Sequence, residues 1–261
     1  MKNLSHIKCF VFDLDGTIYL GDSLFKGVSE LLGILDAKGI AYYFLTNNSS
    51  RSGHSYVDKL HAFGLTQVER KQIITSGDII IDYLRTQDAK KVFLVGTQDL
   101  EGQFIRAKFQ LVNDKEKTPD FVVVGFDTTF TYEKAEKAIY YVRKGIPLVS
   151  TNEDILCPMP DGEYIPDCAS ITAIIEKATG VSTQYFGKPQ KVAVEYLSKL
   201  TGAKPEEMAM VGDRLYTDIK MSEHGMETLL VLSGETNKED AEKAAANTII
   251  CDSIEDLITS L

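Results

Sequence analysis

FVFDLDGT, residues 10–17, sets two carboxylates one residue apart at the end of an apolar run. Phe10, Val11 and Phe12 read as a buried strand, Asp13 and Asp15 close it, and Gly16 frees the backbone to turn away. Two unit charges about 4 Å apart at an effective dielectric of ~20 repel by about 4 kcal/mol. Such a pair calls for something positive between its members.

The rest of the chain narrows what that could be. With 44% hydrophobic and 25% charged residues, the 261-residue sequence is that of an ordinary globular protein. A formal charge of −10, with no run of Lys or Arg longer than Lys90-Lys91, argues against nucleic acid as a partner. No apolar stretch reaches the length of a membrane span, and the first one breaks at Asp13, too early for a secretory leader. Four scattered cysteines without a CxxC pair read as reduced thiols, so the expected location is cytoplasmic. The four histidines show no zinc-binding spacing.

Short β-branched or aromatic runs alternate with helical stretches, the pattern of an α/β fold with a parallel sheet. Expected strands are residues 7–13, 41–46, 92–96, 121–125, 147–151, 208–212, 228–232 and 248–251. Expected helices are 27–38, 52–63, 78–85, 133–144, 170–179, 191–200, 216–223 and 238–245. Ligands of such sheets bind beyond the carboxyl ends of the strands. The first strand delivers Asp13-Leu14-Asp15-Gly16-Thr17, and the second delivers Thr46-Asn47-Asn48-Ser49. A short run near Gln184 leads to Gly187-Lys188-Pro189, and another strand leads to Gly212-Asp213-Arg214 and on to Asp218. Taken singly, each has an ordinary reading as a turn or helix cap. Four in this order, all at strand ends, are hard to assign to chance.

The set resembles the four motifs of the haloacid dehalogenase-like (HAD) phosphatases, and specifically the NagD-like, or p-nitrophenyl phosphatase-like, branch. Ser150-Thr151-Asn152-Glu153-Asp154 and Ala178-Thr179-Gly180 are similar to that branch's cap. The resemblance implies a Rossmann-like parallel-sheet core with an α/β cap inserted between the second and third motifs. It implies Asp13 as nucleophile and Asp15 as the acid and base that protonates the leaving alcohol and later activates water. Thr46, Asn47 and Lys188 would hold the phosphate. The Asp13 side chain, the Asp15 carbonyl and the Asp213 side chain would bind Mg2+, with Asp218 orienting its waters.

From Thr46 to Lys188 the chain runs 142 positions, far more than one crossover needs. The expected organisation is therefore a discontinuous core, 1–77 and 184–261, with a cap at 78–183. Tyr19-Leu20-Gly21-Asp22-Ser23 reads as a small flap turning at Gly21-Asp22. Candidates for substrate selection in the cap are Asn152, Asp154 and Asp167, together with Asp127, Thr128 and Thr129, although turns and caps account for them equally well. Asp167 stands where many relatives are glycine-rich.

The expected function is magnesium-dependent hydrolysis of small phosphorylated metabolites, with p-nitrophenyl phosphate as a chromogenic substitute. A phosphotransferase or phosphomutase on the same core is the nearest alternative. A dehalogenase would have no use for Asp15 or a metal, and a receiver-type signalling module would be about half this length. A non-catalytic phosphate- or metal-binding module would bind without releasing phosphate. The resemblance also allows a homodimer, since cap-mediated dimers occur in relatives.

Overall fold

The computed structural model describes residues 4–159 and 162–259. They form two compact units. The first is built from residues up to Thr46, from Val57–Ile74 and from Lys188 onward, and the second from Asn47–Tyr56 and Thr75–Gly187. Residues 47–56, which the linear reading placed with the core, group with the second unit.

The first unit carries a six-stranded sheet in the order Ile249–Cys251, Glu227–Val231, Met208–Gly212, Cys9–Phe12, Ala41–Thr46, Ile73–Thr75. The first five strands pair in parallel. Cys9–Phe12 lies in the middle and all four of its residues are buried. An unbroken apolar run, rather than an alternating one, suits a strand of a parallel sheet covered on both faces. The helix Val28–Lys38 buries Val28, Leu31, Leu32 and Leu35, the i, i+3, i+4, i+7 stripe of a core-facing helix. Tyr19–Leu20 pairs antiparallel with Ser23–Leu24 around Gly21, whose φ is 58°, forming the expected hairpin.

The second unit has its own parallel sheet, in the order Gln184–Tyr185, Leu148–Ser150, Phe121–Val124, Lys91–Val95, Gln110–Leu111. Ala138 and Val142 of helix Tyr132–Arg143 and Ile171 and Ile175 of helix Cys168–Thr179 close its core over Val122 and Val124. A short antiparallel ribbon joins Leu156–Pro158 to Tyr164–Pro166.

The helix Gln98–Arg106 was not expected from the sequence. It buries Leu100, Gln103 and Phe104, one of them polar, and carries Gly102 in mid-helix, so its periodic signal is weak. Its start is set by Thr97, whose side chain accepts the Leu100 N–H at 3.3 Å. In the other direction, the helix expected over 238–245 stops at Ala241, the single buried residue of its one turn. Without an apolar face to bury, good helix formers do not hold a longer helix. The stretch expected as helix 216–223 is a 3-10 segment, Ile219–His224. Among the described residues no helix is long and apolar enough to cross a membrane.

Candidate active site

Parallel pairing sets Phe12 beside Val211 on one side and Phe44 on the other, so three strands end together at Asp13, Gly212 and Thr46. The Asp13 N–H continues the ladder by donating to the Val211 carbonyl at 2.8 Å. The chain then breaks from the sheet, and the two acids part company. Asp13 is 8% exposed and buried, whereas Asp15 is exposed. Thr46 is buried at the end of its own strand.

Lys188 answers the charge problem posed by the sequence. Its ammonium, itself buried, donates to Asp13 Oδ1 at 2.5 Å and to Asp218 Oδ1 at 2.6 Å. The other Asp218 oxygen accepts the Arg214 N–H at 3.1 Å. Asp213 completes the cluster: one carboxylate oxygen from each of Asp13, Asp213 and Asp218 lies within 4.8 Å of the others. Three buried carboxylates thus face one ammonium. Arg214 is turned to Glu235, its Nε 2.9 Å from the carboxylate.

Two glycines keep room for Asp213. A Cβ on Gly16, whose φ is 90°, would fall 2.4 Å from Asp213 Oδ2, and one on Gly234 would fall 2.0 Å from the same atom. That oxygen accepts the Glu235 N–H at 2.7 Å. The other, Oδ1, is buried with no hydrogen-bond partner among the described residues. A buried carboxylate oxygen without a donor is costly, and here it stands in an all-oxygen set of the kind that suits a small divalent cation. The residues present therefore fit the metal that the resemblance implies.

The electrostatics follow from burial. Loss of water pushes the Asp13 carboxyl well above the usual carboxylate range; Lys188 opposes this, while Asp218 and Asp213 add to it. Burial, with the Asp218 charge, pushes Asp213 up to about 6 against the pull of the Glu235 N–H. For Lys188, burial alone would lower the ammonium's pKa, but Asp13 and Asp218 outweigh it and hold the group above the ordinary lysine value.

Asn47 and the three cap candidates belong to the second unit. Asp154 Oδ2 accepts from both the Asn47 and the Asn152 amides, each at 2.9 Å. The Asn152 amide also donates to Asp167 Oδ1 at 3.1 Å, and that oxygen caps helix Cys168–Thr179 by accepting the Cys168 N–H at 2.5 Å. All four residues are buried. Asp127 is similarly engaged: Oδ1 takes the Thr129 N–H and hydroxyl, and Oδ2 pairs with Lys134 at 2.6 Å.

Sequence reasoning missed the loop Ser233-Gly234-Glu235. It follows the strand Glu227–Val231, so the strand-end rule that found the other motifs could have found this one. Besides holding Asp213, it ties down the turn after Asp15, with Ser233 Oγ donating to the Gly16 carbonyl at 2.8 Å. Tyr19 was also missed. Its hydroxyl donates to Asp15 Oδ2 at 3.2 Å, a contact that no residue spacing signals.

Residues 10–110 match the family profile of haloacid dehalogenase-like hydrolases, and residues 185–257 match a second profile described as HAD-hydrolase-like. The chain is 32% identical over 241 residues to an acid sugar phosphatase of Staphylococcus aureus (strain MRSA252), covering 92% of each. The fold superposes on the crystal structure of a 4-nitrophenylphosphatase from Thermotoga maritima with a TM-score of 0.91 and 41% identity over 98% of both chains. It superposes on NagD from E. coli K-12 with a TM-score of 0.86 and 30% identity, over 96% of this chain and 98% of that one. The chain therefore belongs to the haloacid dehalogenase-like hydrolases, in the branch of NagD and the p-nitrophenyl phosphatases.

Proposed function

We propose that this chain is a magnesium-dependent phosphatase that releases phosphate from small phosphorylated metabolites by way of a phosphoryl group carried on Asp13. The observation that carries the reading is the Asp13–Lys188 contact at 2.5 Å inside a buried acidic cluster, with the exposed Asp15 two residues away. A carboxylate meant to attack phosphorus needs a nearby cation to accept the phosphoryl charge, and the proton carrier needs access to the leaving oxygen and to water.

In the first step an Asp13 oxygen forms a bond to phosphorus as the bond to the ester oxygen breaks. Asp15 gives its proton to that departing oxygen. In the second step a water attacks phosphorus, Asp15 takes its proton, the Asp13–phosphorus bond breaks, and phosphate leaves. Lys188 and the Thr46 hydroxyl hold charge that spreads over the phosphoryl oxygens, with the Asn47 amide assisting.

The Asp13 and Asp213 side chains, with the Asp15 carbonyl, would hold Mg2+. Once bound, the ion supplies positive charge against the phosphate oxygens and removes the repulsion among the acids. Asp218, with both oxygens engaged by Lys188 and the Arg214 N–H, keeps the lysine in place and would orient the waters of a bound ion. Asp154 and Asp167 both accept from the Asn152 amide, which supports a framework role for the three ahead of direct substrate contact. The acid sugar phosphatase relatives favour sugar phosphates as the first substrates to try.

The test is a phosphate-release screen over phosphorylated metabolites with Mg2+. Stripping the metal with EDTA is expected to stop release and added Mg2+ to restore it. Asp13→Asn is expected to lose at least roughly a thousandfold in turnover while melting within a few degrees of the parent. Full activity after exhaustive EDTA treatment, or retained turnover in the variant, refutes the assignment.

A further inference from the structure

Asp15 is exposed, so burial does not fix the orientation of its carboxylate as it does for Asp13. The neighbouring hairpin supplies a constraint. The Tyr19 hydroxyl donates to Asp15 Oδ2 at 3.2 Å, and the same two residues form a β-bridge. The Gly16 N–H donates to the Tyr19 carbonyl at 2.8 Å, closing the turn on both sides. Tyr19 is itself rigid: it is fully buried, its ring packs against Phe63 at a centroid distance of 5.4 Å, and the Lys59 ammonium sits 3.8 Å from its centroid. A fully buried tyrosine here presents its hydroxyl to an exposed carboxylate. A cation over the ring draws electron density from the phenol and strengthens the hydroxyl as a donor.

We infer that Tyr19, seated between Phe63 and Lys59, is a positioning residue that holds the Asp15 carboxylate in the orientation from which it delivers its proton to the leaving oxygen. The inference rests on the phosphatase reading above and adds to it a residue that acts only through Asp15. Its consequence is chemical and specific. Proton delivery matters in proportion to how badly the leaving group needs the proton. p-Nitrophenolate departs readily without one, whereas unsubstituted phenolate, with a tyrosine-like pKa of about 10, does so far less readily.

The experiment compares kcat/KM for p-nitrophenyl phosphate and phenyl phosphate, with Mg2+ present, in the parent and in Tyr19→Phe. This quantity covers the steps through departure of the alcohol and is unaffected by the later hydrolysis step. Tyr19→Phe keeps the ring, its packing and the cation above it, and removes the hydroxyl alone. The expected result is a roughly tenfold loss on phenyl phosphate, within the range for general acid catalysis, against less than about threefold on p-nitrophenyl phosphate. A second variant, Lys59→Met, keeps the hydroxyl but removes the charge above the ring; it is expected to steepen the dependence by a smaller factor, and it supports the inference even if Tyr19→Phe folds poorly. Equal losses on both esters, or none, in an active enzyme overturn the positioning role alone. A parent enzyme that releases phosphate from neither ester overturns the phosphatase reading and this inference with it.

Discussion

Adding one methyl group at Gly234 gives a demanding test of the site. Nothing in residues 233–235 looks catalytic, yet a Cβ there would lie 2.0 Å from Asp213 Oδ2, 2.5 Å from its Cγ and 2.7 Å from its Cβ. No flexible tip is available to yield, so Gly234→Ala must displace the carboxylate or the loop. Either movement breaks the 2.7 Å bond from the Glu235 N–H. Overpacking typically costs about 1–3 kcal/mol and loss of a charge-assisted bond about 1.5–3 kcal/mol, for a combined loss of about 4 kcal/mol. At roughly 2–4 °C per kcal/mol for chains of this size class, the melting temperature should fall by about 10 °C. Turnover should fall as well, since a 1 Å error in a positioned group costs on the order of a hundredfold. The assay pairs thermal melts with p-nitrophenyl phosphate turnover across a Mg2+ titration, where a higher Mg2+ requirement is expected. A variant that melts within about 2 °C of the parent and keeps its Mg2+ requirement refutes the packing argument.

Two further outcomes follow from charge and from the second unit. The folded protein holds the Asp213 carboxyl at about 6, above its ordinary value near 3.8, so the metal-free fold binds that proton more tightly than the unfolded chain does. This contribution is fully present below about pH 4 and is lost as pH rises through about 6, a change on the order of 3 kcal/mol. Melts of metal-free protein should accordingly fall over that window, and the fall should shrink in Asp213→Asn. In the second unit, Asp154→Ala removes the carboxylate oxygen that accepts from both the Asn47 and the Asn152 amides. A loss of about 2–4 kcal/mol is expected in denaturant melts, and a neutral result would show that water substitutes for the carboxylate.

Much of the site was legible because strand ends announce themselves. Asp13, Asp213 and Thr46 follow apolar runs whose boundaries matched within a residue or two, and parallel order then brings such ends together. Other features left no mark in one dimension. Gly234 is needed for the space beside Asp213, and the Tyr19–Asp15 bond depends on how a two-residue ribbon folds back, which residue types alone do not encode. The helix Gln98–Arg106 escaped because Leu100 and the adjacent pair Phe104-Ile105, with a central glycine, make too weak a period. The segment 47–56 continues an expected core strand and a core helix, yet it groups with the second unit. Its partners, Ser49 to Thr151 at 2.8 Å and Ser52 N–H to Asp99 at 2.7 Å, are long-range polar contacts that hydrophobic patterning does not register.

The pairing of Cys9–Phe12 with Met208–Gly212 joins segments about two hundred residues apart, with the whole Thr75–Gly187 stretch lying between them. Contacts of that span make folding slow, because the loop must be closed before the pairing rewards it. During synthesis Asp13 and Asp15 emerge early, whereas the lysine and the third acid arrive only after the second unit has been made. The early strand must therefore wait with an open edge and an uncompensated acid. Its companion carboxylates and its cation all come from the last third of the chain, so catalytic competence is expected to be among the final properties this protein acquires as it folds.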